Sequence, residues 1–367
     1  MPRTEAVIDL GAIAANVRTL KRGTNAALMA VVKADGYGHG LVPSARAAVA
    51  GGADWLGVAT LDEALRLREA GLDGPLLAWL WTPSETAALR AAVRAGVDIS
   101  VNSRWALDAV LATGTPARIH LKIDTGLHRN GVTAEQWPDV CAAAAAAPDR
   151  LRIVGIWTHF AYADDPGNPT IDRQIENFHA AVEMARQHGI TPEIRHIANS
   201  AATLTRPDTH LELVRPGIAV YGLAPVPGEY GLVPAMTLRA ELAAVKRVPA
   251  GAGVSYAHAY HTRAETSLGL VPLGYADGVP RNATNVGPLS INGRRHTISG
   301  RVCMDQFVVD VGDAPIEAGD CVVLFGAGGP SAQEWADALD TIHYEVVTRI
   351  GARVPRRYVN VPAPLTV

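Results

Sequence analysis

The chain is poor in lysine. Of its 33 basic residues in 367, only four are lysines, and the other 29 are arginines. These four are Lys21, Lys33, Lys122 and Lys246. A lysine can lose its proton and form an imine, whereas an arginine stays protonated at any working pH. Because arginine replaces lysine nearly everywhere else, each remaining lysine is a candidate for chemistry that a guanidinium cannot supply.

Cysteine is also rare. The three cysteines, Cys141, Cys303 and Cys321, show no spacing typical of a metal site, and their odd number argues against a disulfide framework. The sequence therefore predicts no bound metal. No uncharged apolar run reaches the length of a membrane span without glycine or proline, and the first ten residues are too polar for a signal peptide. We expect a cytoplasmic protein that does not bind a membrane.

No stretch of the sequence concentrates positive charge. The formal net charge is −3, with 19% charged and 48% hydrophobic residues. This composition can fill a large core and is not that of a disordered chain. The lack of a basic surface argues against nucleic acid as a partner.

Short apolar runs alternate with alanine-rich segments of helical length in the first two thirds of the chain. Buried strands that alternate with helices predict an α/β fold, a (β/α)₈ TIM-type barrel. An open doubly wound sheet is the alternative, but no G-x-G-x-x-G motif follows the first strand, as its dinucleotide-binding form requires. The predicted strands are Leu28–Asp35, Trp55–Thr60, Pro75–Leu80, Asp98–Val101, Ala117–Asp124, Arg152–Phe160, Ile194–Ser200 and Leu213–Tyr221.

After Met236 the pattern changes to short strand-like segments between glycine and proline turns. One helical piece, Ser331–Ala338, interrupts them. This pattern predicts a mainly β second domain. We therefore expect a barrel over residues 1–235 and a β domain over residues 236–367, joined by the linker Ala224–Pro234. The predicted strands are Arg239–Val248, Ser267–Pro272, Thr297–Arg301, Phe307–Val311 and Asp320–Phe325.

Polar residues fall repeatedly at the ends of the predicted barrel strands, where the catalytic groups of barrel enzymes stand. Lys33 is the strongest candidate, because it directly follows the apolar run Met29–Val32, which should place its amine in apolar surroundings. Burial lowers the pKa of a lysine and releases the neutral amine that imine formation requires. The other polar residues that end or follow these strands are Asp35, Lys122, Asp124, Arg129, His159, Asn199 and Ser200, and Arg215 lies within the last strand.

The last two predicted barrel strands supply a second group of candidates. Ser200 closes one strand, and Gly217 and Ile218 follow Arg215 in the other. Barrels often bind a phosphate at this position with backbone N–H groups. A reactive lysine on the first strand and a phosphate cradle here indicate pyridoxal phosphate (PLP) as the cofactor. These arguments leave the reaction open.

Segments along nearly the whole chain resemble the signature segments of alanine racemases. The segment Ala30–Gly40, AVVKADGYGHG, resembles the one that carries the PLP lysine. The sequence departs from the family pattern at Asp35, Leu127 and Val279, where asparagine, methionine and an aromatic residue are usual. The other matching segments, in the family's order and spacing, are Lys122–Arg129, Thr158–Ala161, Ala198–Ser200, Val214–Gly217, Val254–Tyr256, Gly274–Gly278, Val302–Asp305 and Arg353–Tyr358.

The resemblance implies a role for each matching residue. Lys33 would hold PLP as an imine and act as one acid–base group, and Tyr256 of a partner subunit would act on the opposite face. Arg215 would face the pyridine nitrogen, and Arg129 would contact the phenolic oxygen of PLP and the substrate carboxylate. The remaining cofactor-binding residues implied by the resemblance are Tyr37, His159, Asn199, Ser200, Gly217, Ile218 and Tyr358.

The resemblance also implies an activity and an assembly. The chain is expected to interconvert L-alanine and D-alanine, which supplies D-alanine for peptidoglycan synthesis. It would do so as a homodimer whose β domains complete each other's active sites. Met304 would help to bind the substrate carboxylate from the partner subunit, and Lys122 matches a position that is often carbamylated in the family.

Three other functions stay open at this point. One is a racemase of broad amino-acid specificity. Another is a barrel-type PLP amino-acid decarboxylase, although such enzymes place an acidic residue where this chain has Arg215. The third is a PLP-binding protein without activity, built from a barrel alone. The second domain with Val254–Tyr256 and Val302–Asp305 argues against this last alternative.

Overall fold

The structure is a computed structural model, and it describes residues 2–363. The described chain forms two compact units. The barrel unit comprises Ala12–Gly36 and Leu41–Val233, and the sheet unit comprises residues 2–11, Tyr37–Gly40 and Pro234–Val361. The division between residues 235 and 236 stays a prediction.

The first part of the chain alternates strands and helices. β1 (Thr4–Asp9) belongs to the sheet unit. The strands that follow are β2 (Ala27–Val31), β3 (Trp55–Val58), β4 (Leu76–Ala78), β5 (Asp98–Val101), β6 (Ala117–Lys122), β7 (Leu151–Trp157), β8 (Ile194–His196) and β9 (Leu213–Val214). The helices are α1 (Leu10–Arg22), α2 (Lys33–Tyr37), α3 (Leu41–Ala50), α4 (Leu61–Glu69), α5 (Thr86–Arg94), α6 (Arg104–Leu111), α7 (Trp137–Ala145), α8 (Pro169–Gln187) and α9 (Ser200–Thr205).

Strands β2 to β9 form one parallel sheet in the spatial order β8-β7-β6-β5-β4-β3-β2-β9. A backbone hydrogen bond of 2.9 Å from Arg215 N–H to Ala198 O joins the segments that follow the two outer strands, so the sheet nearly closes. Every residue of β3, β4 and β5 is buried, as strands covered on both faces must be. The predicted (β/α)₈ TIM-type barrel is confirmed.

Seven of the eight predicted barrel strands end earlier than expected, and only β5 keeps its predicted bounds. The difference matters most at three of them. β2, β8 and β9 end early, so that Lys33, Ser200 and Arg215 follow their strands. The chain leaves β2 abruptly because Ala34 and Asp35 adopt left-handed backbone angles, with φ of 52° and 54°, which extended pairing does not allow. The candidate residues therefore stand in the loops beyond the carboxyl ends of the strands.

The sheet unit is mainly β, as predicted. A six-stranded sheet has the order β16-β15-β18-β10-β1-β19, a three-stranded sheet has the order β11-β14-β17, and β12 pairs with β13. The elements are β10 (Met236–Glu241), β11 (Ala244–Val248), β12 (Gly253–Val254), β13 (Tyr260–His261), β14 (Thr266–Val271), β15 (Pro288–Ile291), β16 (Arg294–Thr297), β17 (Phe307–Gly312), β18 (Cys321–Phe325), α10 (Ala332–Leu339), α11 (His343–Thr348) and β19 (Arg356–Val359).

Two predicted strands of this unit are wrong. Arg239–Val248 is not one strand, because β10 ends at Glu241 in the six-stranded sheet and β11 begins at Ala244 in the three-stranded sheet. The structure has no continuous strand over Thr297–Arg301: β16 ends at Thr297, and a single bridge joins Ile298 to Val309. Gly300 then has a φ of 85°, which breaks the extended conformation.

The first strand of the chain lies inside the six-stranded sheet. β1 runs antiparallel to β10 and parallel to β19. The buried carboxylate of Glu5 accepts hydrogen bonds from Arg239 Nε over 2.7 Å and from Arg357 Nε over 3.0 Å, which ties the three strands together. Pairing between distant segments leaves no local pattern in a sequence, so this strand was not predicted.

Residues 2–363 lack two features. No helix among them is long and apolar enough to cross a membrane. Within the same range, no three histidine, cysteine or acidic side chains come together as a metal site. The three cysteines are free thiols.

Candidate active site

Lys33 stands just beyond the carboxyl end of β2, at the start of a left-handed turn. Ala34 and Gly36 in this turn have φ values of 52° and 61°. A Cβ on Gly36 would lie 2.7 Å from Ser44 Oγ, so only glycine fits there. The backbone N–H of Ala34 donates to Glu63 Oε1 over 2.6 Å, and Glu63 belongs to the first turn of α4. The turn that presents Lys33 is therefore held by α4.

The Lys33 amine lies among positive charges. Burial lowers the pKa of Lys33, and the charge of Arg129 lowers it further. The carboxylate of Glu63 opposes this shift, and Arg215 adds to it. Lys33 Nζ lies 5.8 Å from the centre of the Trp79 ring, which offers no hydrogen-bond acceptor. The neutral, nucleophilic form therefore makes up a larger fraction of the Lys33 amine than of the amine of a surface lysine.

Lys122, the last residue of β6, is a second buried amine with 5% of its surface exposed. Burial, together with the charges of Arg129 and Arg215, lowers the pKa of Lys122 to about 7. Its Nζ lies 4.5 Å from the centre of the Trp157 ring. At neutral pH a large fraction of this amine is therefore uncharged. The two lysines that the sequence singled out stand in the same electrostatic environment.

Arg215, directly after β9, is a buried cation held on two sides. Its Nη2 donates to Thr158 O over 2.9 Å and lies 3.3 Å from His159 Nδ1, and its Nη1 lies 3.2 Å from His196 Nδ1. The guanidinium carbon lies 4.9 Å from the centre of the Trp157 ring. Burial lowers the pKa of Arg215 to about 9, which still leaves it protonated at neutral pH.

A chain of buried hydrogen bonds leads from Arg215 across the barrel. His196 Nε2 lies 2.9 Å from His120 Nδ1, and His120 Nε2 lies 3.1 Å from Asp98 Oδ2. Arg118 Nε donates to the other carboxylate oxygen of Asp98 over 2.6 Å. His120 and Asp98 were not among the residues predicted from the sequence. The available signal was that His120 and Lys122 are two apart on one strand and so share a face.

The two ends of this chain fix the direction of its hydrogen bonds. Arg215 can only donate, so His196 Nδ1 must accept and its Nε2 carries the proton. His120 Nδ1 then accepts from His196, and His120 Nε2–H donates to the carboxylate of Asp98. Burial, and then the charge of Arg215, hold the pKa of His196 well below its usual range, so His196 is neutral.

The carboxylate that ends this chain is stabilised in its charged form. Burial alone would raise the pKa of Asp98, but the hydrogen bonds from His120 and Arg118 outweigh it and lower the pKa. Asp98 belongs to β5 and has only 1% of its surface exposed. A fixed negative charge, on Asp98, therefore stands at one end of this row of hydrogen bonds, and a fixed positive charge, on Arg215, stands at the other.

Arg129 and His159 complete this group. Arg129 is exposed on the loop after β6, which Asp124 shapes by accepting the backbone N–H groups of Gly126 and His128 over 3.0 and 3.1 Å. Burial, and then the charges of Arg215 and Arg129, hold the pKa of His159 well below its usual range. The barrel unit thus brings together five of the predicted residues, which are Lys33, Lys122, Arg129, His159 and Arg215.

A second predicted group meets where α9 begins. The buried Ser200 Oγ accepts the backbone N–H of Gly217 over 2.8 Å and that of Ala219 over 3.4 Å. Asn199 Oδ1 caps α9 by accepting the N–H of Ala202 over 3.1 Å. Ile218 begins a short 3₁₀ helix directly after Gly217. A hydroxyl and several backbone N–H groups at two helix starts form an environment suited to an anion.

The two tyrosines predicted to bind the cofactor, Tyr37 and Tyr358, belong to the sheet unit. Tyr37 is buried, and burial raises the pKa of its hydroxyl, so it remains a neutral donor. A Cβ on Gly40 would lie 2.1 Å from Tyr358 Oη, so the Tyr358 hydroxyl rests directly on the backbone of Gly40. The ring centres of Tyr37 and Tyr344 lie 6.3 Å apart.

Tyr256 and Met304 are exposed on the sheet unit. Their exposed fractions are 69% and 53%, among the largest for apolar and aromatic residues of the described chain. Tyr256 opens a short 3₁₀ segment after β12, and Met304 lies in the loop before β17.

The fold and this cluster define a class of protein. A (β/α)₈ barrel with a lysine amine of lowered pKa just beyond the carboxyl end of a strand has the arrangement of a barrel enzyme. The chain belongs to the alanine racemase family. The family model "Alanine racemase, N-terminal domain" matches residues 8–225, and "Alanine racemase, C-terminal domain" matches residues 235–358.

Individual relatives agree with this assignment. The alanine racemase of Salinispora arenicola is 56% identical over 98% of this chain and 99% of its own length. The solved structure of the alanine racemase from Streptomyces coelicolor A3(2) has a TM-score of 0.95 at 53% identity, covering 98% of each chain. That from Streptomyces lavendulae has a TM-score of 0.94 at 52% identity, covering 98% of this chain and 97% of its own. The family identified from the sequence is confirmed. Membership in it implies an amino-acid substrate, PLP and a dimer.

Proposed function

We propose that the chain interconverts L-alanine and D-alanine with PLP attached to Lys33. The observation that carries this proposal is the Lys33 amine, whose pKa is lowered by burial and by Arg129 at the carboxyl ends of the barrel strands. A lysine in this state can attack an aldehyde carbon and can also take up and release a proton. The barrel unit therefore supplies both the attachment point and one of the two acid–base groups.

The residues present fit this cofactor. Ser200 Oγ and the N–H groups at the start of the 3₁₀ helix, at Gly217 and Ile218, would hold the phosphate, with Tyr37 and Tyr358 as hydroxyl donors. When bound, PLP accepts the electron pair that remains at Cα after a proton leaves. Asn199 would contribute by fixing the start of α9, whose first residue is Ser200.

Arg215 would donate a hydrogen bond to the pyridine nitrogen. Because Arg215 stays protonated and His196 Nδ1 accepts from it, the nitrogen is offered a donor and never a proton. An unprotonated ring withdraws charge from Cα only moderately. We infer that this restrains side reactions such as decarboxylation, and it favours a racemase over a decarboxylase.

The second acid–base group would be Tyr256 of the partner subunit. Racemisation removes the Cα proton from one face and returns a proton on the other, so two groups must flank one carbon. Tyr256 and Met304 are exposed on this chain, and a second copy of the chain is the partner that the family implies. His159 would link Tyr256 of the partner subunit to Arg215, and Met304 of the partner subunit would help to bind the substrate carboxylate.

Arg129 and Lys122 would hold the anionic groups of substrate and cofactor. Arg129 carries the permanent charge that a carboxylate requires. Lys122, with a pKa of about 7, offers a neutral amine to carbon dioxide, and a carbamate there would turn a repulsive neighbour of Arg129 into an ion-pair partner.

A complementation experiment tests the shared site. Lys33→Ala and Tyr256→Phe subunits are inactive as homodimers, whereas each mixed dimer contains one site with both Lys33 and Tyr256. We expect mixing to restore racemisation, measured by circular dichroism with L-alanine. No restoration would contradict the shared site. Assays with L-serine and L-lysine test for broad specificity, and carbon dioxide release would support a decarboxylase.

A further inference from the structure

The backbone around Tyr256 is strained. Ser255 has φ of 62° and ψ of −170°, a region that is occupied almost only by glycine. Ala257 and His258 also have positive φ values, 57° and 47°. Three of the four residues Ser255–His258 therefore have positive φ values, although none of them is glycine. Such conformations persist only where the surrounding structure holds them. The position of the Tyr256 phenol therefore depends on whatever holds this segment.

The Ser255 side chain supplies the main tie. Its Oγ donates to Arg301 O over 2.7 Å and lies 3.4 Å from Cys303 Sγ. Arg301 and Cys303 belong to the loop that carries Met304. One hydroxyl therefore joins the segment of Tyr256 to the loop of Met304, which are the two residues proposed to enter the partner's site.

The same two segments touch along their backbones. A Cβ on Gly300 would lie 2.7 Å from Val254 O, so only glycine allows this approach. Asn285 spans the pair, with Nδ2 donating to Ala259 O over 2.9 Å and Oδ1 accepting the N–H of Gly300 over 2.6 Å. These contacts hold the outer ends of the Tyr256 segment, and Ser255 is the residue that anchors it directly beside the phenol.

We propose that Ser255 is a positioning residue for racemisation. Its hydrogen bond to Arg301 O holds the strained backbone and sets the Tyr256 phenol and Met304 at a fixed separation. The proposal rests on the proposed function, in which Tyr256 exchanges a proton with Cα. Without the hydroxyl, the segment relaxes and the phenol leaves the distance at which proton transfer is fast.

The test separates the two acid–base groups by hydrogen exchange. In deuterated water, the enantiomer whose Cα–H faces Lys33 exchanges that hydrogen without help from Tyr256. In the PLP-loaded Ser255→Ala dimer we expect this exchange to continue near the wild-type rate, while racemisation falls about ten- to a hundred-fold. NMR follows the loss of the Cα–H signal, and chiral chromatography follows the appearance of the other enantiomer.

Three further variants make the result decisive. Tyr256→Phe should show the same separation more strongly, and Ser255→Gly, which relieves the strain but also lacks the hydroxyl, should resemble Ser255→Ala. Ser331→Ala removes a comparable hydroxyl at the start of α10 and should leave both rates unchanged. The proposal for Ser255 is wrong if Ser255→Ala racemises within two-fold of wild type, or if exchange and racemisation fall together.

The Tyr256→Phe variant separates that failure from failure of the proposed function. If Tyr256→Phe racemises slowly with intact exchange while Ser255→Ala does not show this separation, only the proposed role of Ser255 is wrong. If Tyr256→Phe itself racemises normally, Tyr256 is not the second acid–base group, and both proposals fall.

Discussion

His196 accepts a hydrogen bond from Arg215 over 3.2 Å through its Nδ1 atom. The neutral state and the tautomer of His196 follow from the groups at the two ends of one buried chain, the guanidinium of Arg215 and the carboxylate of Asp98. The electronic role proposed for Arg215 therefore depends on a carboxylate two histidines away. This relationship leads to the first of three predictions.

Asp98→Asn should lower kcat without preventing PLP binding. An amide can donate where the carboxylate could only accept, so His120 and His196 lose their fixed orientation and Arg215 loses its acceptor. Loss of a charge-assisted hydrogen bond costs about 1.5–3 kcal/mol, which corresponds to roughly a ten- to hundred-fold fall in kcat. Steady-state kinetics at saturating PLP measures it.

A surface aspartate provides the control for this substitution. Asp108→Asn removes the exposed ion pair with Arg104 on α6 and should leave kcat unchanged. Urea unfolding of both variants shows whether any loss of activity reflects loss of fold. A normal kcat in Asp98→Asn would show that the proposed role of Arg215 does not depend on the hydrogen bonds that lead to Asp98.

Lys122 should make the stability of the cofactor-free protein depend on pH. Its pKa is about 7 in the folded chain against 10.5 for an ordinary lysine. Between these values the unfolded chain binds more protons than the folded one, so the free energy of unfolding rises with pH. The contribution is at most about 1.4 kcal/mol per pH unit. Urea unfolding from neutral to alkaline pH measures this slope.

Two lysine-to-glutamine substitutions separate the effect of Lys122 from that of other groups. Lys122→Gln should flatten the slope, because the group that titrates is gone. Lys246→Gln, on the exposed face of β11, should keep the wild-type slope. Equal slopes in all three proteins would show that Lys122 titrates like a surface lysine.

Lys33→Arg should abolish the covalent, borohydride-reducible link between PLP and the protein and lower racemisation by about a thousand-fold or more. The substitution keeps the positive charge but removes the amine that can lose its proton. Absorption spectra and borohydride reduction followed by peptide mapping identify the attachment point. Lys21→Arg is the matched control, since Lys21 forms a surface ion pair with Asp54 that an arginine preserves. A covalent label that survives borohydride reduction in Lys33→Arg would place the attachment elsewhere.

The sequence predicted more of the barrel than of the site's inner structure. Apolar runs located all eight barrel strands, because hydrophobic periodicity reports burial directly. It does not report where a strand stops, and Lys33 and Ser200 were placed within strands although they follow them. Asp98 and His120 were missed because a buried polar chain is assembled from three separate strands and leaves no spacing in the sequence.

The sheet unit shows the same limit at longer range. The alternation after Met236 correctly indicated strands, yet nothing in the pattern connected them to Thr4–Asp9. Strand pairing between the two ends of a chain is decided by the closed fold and by contacts such as those of Glu5. The resemblance to alanine racemases supplied the candidate roles, while the hydrogen bonds of Ser255 and Asp98 became visible only in the structure.

The place of β1 between β10 and β19 has a consequence for synthesis on the ribosome. β1 must wait until β10 and β19, which both follow the barrel strands along the chain, have been made. A fragment that begins at residue 236 lacks the strand that separates β10 from β19, so β19 would have no partner in the sheet. A β fragment should therefore fold only if it also carries the residues of β1, and cutting the chain at the linker will not yield two self-sufficient pieces.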